Sequence, residues 1–434
     1  MAISAPGDTL RQGDSIQLSA VARDPSGNPL TGIAVEWRSA DPAVASIGAD
    51  GLLRGVGHGR TLVYGLAVGK KDSLAVEVRV RWKSVSLGVN WYTACALALD
   101  GKAFCWGAAP HRFGASAGTV AVPDSVPGGL RYASLATTGS TTCGIARNAT
   151  LYCWGARLVR AGGDTVSRSP VPEQVATPVP LVSLAAGSAY FCGLATDGRA
   201  FCWGSDSSGQ LGVGATSSES RSDVPVEVGG NLRFSSLDAG VVTTCGVTTA
   251  GEAYCWGWNS YGQVGDGVVS WQRSFPTRVS TDRKFLDVNP GYYHTCGVAT
   301  TGDGFCWGSF TLGDGRDSFM LTERRPVPVA STERFVRMDS GWGLTCGLND
   351  AGRAFCWGGN AWGGIGDGTT TTRNVPTAVK GDLAFATLAA GASVACGIMK
   401  NGVMYCWGAN TGGVLGNGTT EQSLVPARVS DPRL

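Results

Sequence analysis

The chain has 434 residues, with 35 basic against 33 acidic side chains for a formal charge of +2, and only 16% of its residues are charged. That balance gives no electrostatic footprint for nucleic acid or an anionic membrane surface, and no apolar run approaches the ~18 residues of a membrane span. Its 65 Gly and 19 Pro make up about 19% of the chain, below the range of low-complexity disorder, while 43% hydrophobic residues suffice for a packed core. The opening Met1-Ala2-Ile3-Ser4 lacks the charged-then-apolar plan of a signal peptide, so the chain reads as soluble, with any export signal removed or absent from this sequence. A Gly-rich, aromatic composition with few helix formers points to an all-β protein.

Residues 1–80 carry short apolar segments between turns: Ile16, Leu18 and Ala20; Val35-Glu36-Trp37-Arg38-Ser39; Val44-Ala45-Ser46-Ile47; Gly51-Leu52-Leu53; Gly59-Arg60-Thr61-Leu62-Val63; and Leu74-Ala75-Val76-Glu77-Val78. They read as the strands of a small β-sandwich. No Gly/Ser linker separates Arg79 from Lys83, which predicts a short, restricted joint to residues 83–434.

From there the cysteines set the plan. They form seven pairs ten residues apart: Cys95 and Cys105, Cys143 and Cys153, Cys192 and Cys202, Cys245 and Cys255, Cys296 and Cys306, Cys346 and Cys356, Cys396 and Cys406. Each second cysteine opens Cys-Trp-Gly, and first cysteines follow one another at steps of 48, 49, 53, 51, 50 and 50 residues. A period near fifty built from short strands is the signature of a propeller with about four strands per blade, so seven modules predict a seven-bladed β-propeller.

Within each pair the chain reads as a hairpin. Leu99, Asp100 and Gly101 form a three-residue loop with Gly in the left-handed position, which puts Cys95 directly opposite Cys105. Opposed residues lie roughly 4.5 to 5.5 Å apart at Cα, inside the disulfide window, and one bridge per blade is expected. Six modules place Gly at that turn; the second has Ala149. The same register sets Ala96, Gly144, Gly193, Gly246, Gly297, Gly347 and Gly397 opposite the aromatic before each second cysteine, with that ring lying over the small residue. Zinc would need tighter clusters and more than the three histidines present, haem attachment would need Cys-x-x-Cys-His, and free buried thiols are the remaining alternative. Disulfides place the protein in an oxidising compartment.

Ahead of each hairpin lies a short strand ending in Gly, such as Leu237-Asp238-Ala239-Gly240. Behind it comes a Gly-rich loop, as in Gly209-Gln210-Leu211-Gly212 and Gly262-Gln263-Val264-Gly265, then a Val-Pro strand such as Val224-Pro225-Val226, whose proline predicts an outer edge. These motifs together resemble the repeats of the regulator of chromosome condensation family. The resemblance covers residues 83 to 434, implies a seven-bladed propeller, and with paired cysteines is closer to the family's secreted bacterial branch than to its nuclear members. The first two modules depart from it after Trp106-Gly107 and Trp154-Gly155. Residues 1–80, with Trp37-Arg38-Ser39, Val44-Ala45-Ser46-Ile47 and Gly59-Arg60-Thr61, resemble a bacterial immunoglobulin-like domain of group 2, a spacer or adhesion module.

Alternating strand direction sends the turn after each first strand and the loop after each third strand to one end of the propeller. That end collects Trp91, Tyr92, Tyr190, Trp258, Tyr261, Tyr292, Tyr293, His294, Phe310, Trp342 and Trp362, while the opposite end shows small turns and scattered charge at Arg233, Arg283, Lys284, Arg334 and Arg337. Converging Trp and Tyr are typical anchors for a partner; the alternative is that they pack on one another and plug the channel. A histidine in the turn is common in the resembled family, which points to a structural role for His294. A member of that family binds its target through an aromatic-rich end.

The reading that follows is an exported, non-catalytic recognition protein holding an extracellular protein or glycan, with no cofactor, no metal site and no nucleic-acid partner. One alternative is a structural surface or filament subunit in which copies self-associate. Another is a propeller glycoside hydrolase or lyase, for which Asp266, Asp314 and Asp367 are the candidate carboxylates, though each sits in a Gly-Asp-Gly turn where a turn-forming role suffices. No nucleophile elbow, P-loop or His-Glu-x-x-His occurs.

Overall fold

The computed structural model of the protein describes residues 1–88, 93–108, 119–159, 165–214, 221–316 and 321–433. It is all-β; the helical element among the described residues is one 3-10 turn, Thr411–Gly413. The chain forms two compact units, one of Met1–Lys83, Ala98–Gly101 and Asp431–Leu434, the other of Ser84–Leu97 and Lys102–Ser430.

In the first unit, Thr9–Arg11, Lys70–Arg79, Gly59–Ala67 and Glu36–Ser39 make a four-stranded sheet, and Ser15–Gln17, Leu52–Gly55 and Ala45–Ile47 a three-stranded one. Along Gly59–Ala67 alternate residues are buried, as the pleat requires of a strand with one wet face. Leu10, Val63, Val76 and Val78 of the larger sheet share one core with Ala45 and Leu53 of the smaller.

The second unit is built on seven four-stranded antiparallel sheets, each with its strands in chain order. Numbered one to seven, they run from Trp82 to Ser125, Tyr132 to Val175, Leu181 to Glu227, Phe234 to Arg278, Phe285 to Pro328, Phe335 to Ala378 and Phe385 to Arg428. The fourth strand carries a proline and lies at an edge in every sheet; it contains a Val-Pro pair in sheets one, two, three, five, six and seven, and in sheet four Phe275 stands before the proline. Every paired cysteine faces its partner across the central hairpin, and all seven disulfides are formed, at Cα separations of 4.0 to 4.1 Å. That is shorter than the expected spacing because the pair falls at a non-hydrogen-bonded site. The turn closes on the bond from Ala195 N–H to Arg199 O, and ladder bonds alternate from there to Cys192 and Cys202.

The hairpin turns take a left-handed residue, Gly101 at φ 86° and Gly198 at 81°, and Ala149 adopts the same conformation at 64°. An L side chain there costs about 1–2 kcal/mol, which exceeds the extra chain entropy of glycine. Ala149→Gly is therefore expected to stabilise the protein by about 0.5–1 kcal/mol in urea titration; a loss of stability would contradict the turn.

One packing expectation is corrected. Gly246 and Gly347 do pair at Cα with Tyr254 and Phe355, but the ring that covers each glycine comes from the opening residue of the first strand. A Cβ on Gly246 would lie 2.6 Å from Phe234, and Gly144, Gly297, Gly347 and Gly397 are covered likewise by Tyr132, Phe285, Phe335 and Phe385. A bulge after each of these residues, as between Phe285 and Asp287, carries the ring across the second strand. There it meets the Cys-Trp-Gly indole at centroid distances of 5.6 to 6.2 Å.

Those indoles join the sheets. Trp256, Trp307 and Trp407 donate their N–H to Gln210, Gln263 and Gly364 in the Gly-rich loop of the preceding sheet, and Trp106 of sheet one donates to Val414 of sheet seven at 2.7 Å. The last glycine of each loop lies against the ring; a Cβ on Gly265 would sit 2.5 Å from the Trp307 indole nitrogen. The Gly-x-Leu/Val-Gly motif is thus the seat of the next sheet's tryptophan, and Gly418 N–H to Ala121 O adds a second tie between sheets seven and one.

Candidate functional site

Six of the aromatics at the turn end form one continuous strip across sheets four, five and six. Tyr292 lies between Trp258 and Trp342, stacked on each at 5.2 Å with interplanar angles of 28° and 24°. Tyr261 meets Trp258 and Tyr293 edge-on, Tyr293 leans on Tyr292 at 4.3 Å, and Phe310 stacks on Tyr293 at 5.5 Å. The rings support one another and stay partly open to solvent: Trp342 is 41% exposed and the other five are half-buried. Both sequence expectations, mutual packing and a displayed surface, meet in this strip.

The remaining predicted residues divide. Trp362 is 51% exposed and has no ring partner among the described residues. Trp91 and Tyr92 lie outside the described residues. Tyr190 and His294 are not surface groups, and their assignment to the site is corrected: each is 1% exposed. Both sit two residues before a first cysteine, where the second strand begins and the side chain enters the gap to the next sheet. Tyr190 donates its hydroxyl to Thr243 O at 2.8 Å and accepts from Thr244, while His294 Nε2 meets Thr345 Oγ1 at 2.6 Å. They are inter-sheet struts. Burial pushes the His294 imidazole down to about 4, which leaves it neutral at physiological pH. Trp271, 68% exposed in the loop before the fourth strand of sheet four, went unremarked in the sequence, although a tryptophan after Val268-Val269-Ser270 in a loop is the available signal.

Phe310 carries an unusual backbone. In sheets three, four, six and seven the equivalent loop position is Gly209, Gly262, Gly363 or Gly413, with φ of 73° to 76°; in sheet five it is Phe310 at 80°. Strain of this kind collects at functional positions. Phe310→Gly should be more stable than Phe310→Ala by about 1 kcal/mol in denaturant titration, because both lose the ring and only glycine relieves the strain. The usual order, alanine above glycine, would refute the conformation.

The carboxylates weighed for hydrolysis are engaged in their own turns. Asp266, Asp314 and Asp367 each accept a backbone N–H two residues on, at 2.9 to 3.0 Å, and pair with Arg273, Arg316 and Arg373. Burial works against ionisation of Asp367, but Thr369 and Arg373 donate enough to hold its carboxyl below the usual range.

A second charged cluster lies on the first strands, which run side by side in sheets four to six. Asp238, Asp287 and Asp339 act on one another there, and Arg337 is the cation among the described residues that acts on all three. Arg337 was expected among the scattered charge at the far end; as the third residue of a first strand it faces this cluster instead. Burial first, then repulsion from Asp339 and Asp287, pushes Asp238 up to about 8. Folding therefore retains a proton that the unfolded chain releases above pH ~4, and this contribution to stability is lost as pH rises toward 8. His294 acts oppositely, but only between its ordinary 6.5 and about 4. Between pH 6.5 and 8 stability should fall by up to about 1 kcal/mol per unit after solvent screening. Asp238→Asn should flatten that slope in urea midpoints; an unchanged slope would contradict it.

The sheets, their cystines and the shared loop motif define a β-propeller-type repeat protein. Residues 197–247, 250–298, 351–398 and 401–433 match the model of the regulator of chromosome condensation (RCC1) repeat, and residues 181–210 and 234–263 match a second model of it. The Ultraviolet-B receptor UVR8 of Arabidopsis thaliana is 37% identical over 84 residues, which is 19% of this chain and 19% of the receptor. The structure is similar to that of human WBSCR16, with a TM-score of 0.67 at 21% identity, covering 76% of this chain and 94% of the other. It is also similar to Prp20p from Saccharomyces cerevisiae, with a TM-score of 0.63 at 17% identity, covering 83% and 90%. The chain therefore carries RCC1 repeats in an RCC1-like propeller fold. The repeat models leave out residues 299–350, the stretch that holds Phe310, Arg337, Asp339 and Trp342.

Proposed function

We propose that the protein is an exported, non-catalytic recognition protein whose seven sheets close into a seven-bladed ring and whose aromatic strip on blades four to six holds an extracellular protein or glycan. The observation that carries this reading is the strip itself: six rings in mutual contact, partly exposed, and including a phenylalanine held in a backbone conformation that its counterparts give to glycine. Large rings preordered by their neighbours lose little entropy on binding. The ties between sheets seven and one support ring closure. Seven cystines support an oxidising compartment and hence the secreted bacterial branch, and we read the first unit as its immunoglobulin-like spacer. Prp20p is described by its binding to Gsp1p and histones, so a related scaffold serves protein recognition. The carboxylates weighed for hydrolysis are held by arginines of their own sheets, Arg316 in the loop and Arg273 and Arg373 in the fourth strand, which favours binding over bond cleavage.

The test is an array of extracellular proteins and glycans probed with the wild type and with Tyr292→Ala/Trp342→Ala. Ligands held by the wild type and lost by the variant support the reading. Ligands retained equally by both, or consumed with turnover, overturn it.

A further inference from the structure

The inner strands of sheets four to six are set apart by charge. In sheets one, two, three and seven their third and fifth residues are uncharged: Ser84 and Ser86, Ser134 and Ala136, Ser183 and Ala185, Thr387 and Ala389. In the sector beneath the aromatic strip they are Ser236 and Asp238, Asp287 and Asn289, Arg337 and Asp339. The third-residue tier balances one carboxylate against one guanidinium. The fifth-residue tier holds two carboxyl groups, of which Asp238 keeps its proton at neutral pH, and an amide, with no cation of its own, two residues before Gly240, Gly291 and Gly341, after which the chain turns into Tyr292 and Trp342 in sheets five and six.

Asn289 gives independent evidence of what this tier lacks. It is 2% exposed, its Nδ2 donates to Asp287 Oδ2 at 2.7 Å, and its Oδ1 is buried without a hydrogen-bond partner. A buried acceptor left unpaired costs about 1–3 kcal/mol, and here it belongs to a group already surrounded by acceptors. Asp238 and Asp339 accept backbone N–H groups from Ala239, Ala390 and Ser340, so what the tier lacks is a donor to Asn289 Oδ1 and a cation of its own. Among the described residues no group of three or more His, Cys, Asp or Glu is arranged to hold a metal ion, whereas an organic cation would bring both the charge and the donor.

We propose that this tier is a subsite for a lysine side chain presented by a protein partner, whose aliphatic stem lies on Tyr292 and Trp342 and whose ammonium donates to Asp238, Asp339 and Asn289 Oδ1. An ammonium has three donors on a flexible apolar stem, which matches three acceptors at equal register on adjacent strands below stacked rings; the planar guanidinium fork does not. Rings at the mouth add attraction for a cation. The assignment rests on the aromatic strip being the partner surface, and it narrows the partner to a protein with an exposed lysine.

The experiment uses the whole chain and an N-acetylated hexalysine amide as probe, in calorimetric titration against the same peptide acetylated on every side chain and against hexaarginine. Saturable binding of hexalysine is expected, at least 10-fold weaker for each control peptide and for Asp238→Asn/Asp339→Asn. Asn289→Leu gives a second arm that leaves both carboxylates in place and should also lose affinity. No saturable hexalysine binding, equal binding of the acetylated or arginine peptide, or binding unaffected by the Asn variants would each overturn the subsite. If acetylated peptide binds as well and Trp342→Ala abolishes it, the strip stands and the lysine subsite falls; if an identified partner ignores Trp342→Ala, the strip itself falls.

Discussion

Trp307→Ala should cost about 3–5 kcal/mol in urea unfolding, the largest stability loss expected of a single substitution in the sheets. The indole is fully buried, meets Phe285 of its own sheet at 6.1 Å, donates to Gln263 O at 2.9 Å and lies against Gly265 of the preceding sheet. Its removal opens a cavity at a junction between sheets and takes away one of the two hydrogen bonds to the Gln263 carbonyl, leaving that from Thr295 Oγ1. In a repeat architecture each sheet is stabilised mainly by its neighbours, so faster amide exchange should concentrate in sheets four and five. A loss below about 1 kcal/mol would mean that the indole is not the joint between sheets. The contrast with Trp342, 41% exposed in a turn, separates tryptophans that hold the fold from those that display a surface.

The cystine framework was legible because it is local. Ten residues and a three-residue turn determine which side chains oppose one another, whatever the rest of the chain does, and the Val-Pro strand announced its edge through the missing N–H. What the spacing could not supply was the relation of one sheet to the next. Tyr190 and His294 look like members of the turn until the second strand is seen to begin at them, which aims them at Thr244 and Thr345 some fifty residues away. The ring over each glycine was assigned to the paired strand rather than to Phe234 or Phe285, because a bulge in the first strand is invisible in alternation alone. Yet an aromatic recurs at that strand's start in every sheet but the third, which opens on Leu181, and this signal was available. Asp238, Asp287, Arg337 and Asp339 meet only when the first strands of three modules align, which the spacing within one module does not show. Phe310 was visible as a loop aromatic, but its conformation became evident only by comparison with Gly209, Gly262, Gly363 and Gly413.

The most direct check on the recognition surface is the affinity of Tyr292→Ala/Trp342→Ala for a ligand found on the array, measured beside its melting temperature. Tyr292 is the middle of the Trp258–Tyr292–Trp342 stack, so its loss also releases Trp258, and truncated Trp and Tyr anchors commonly cost 2 kcal/mol or more each without adding fully. The account predicts at least a 100-fold loss of affinity, about 2.7 kcal/mol, with melting changed by only a few degrees. Affinity within threefold of the wild type, or a fall in melting as large as that of Trp307→Ala, would contradict it.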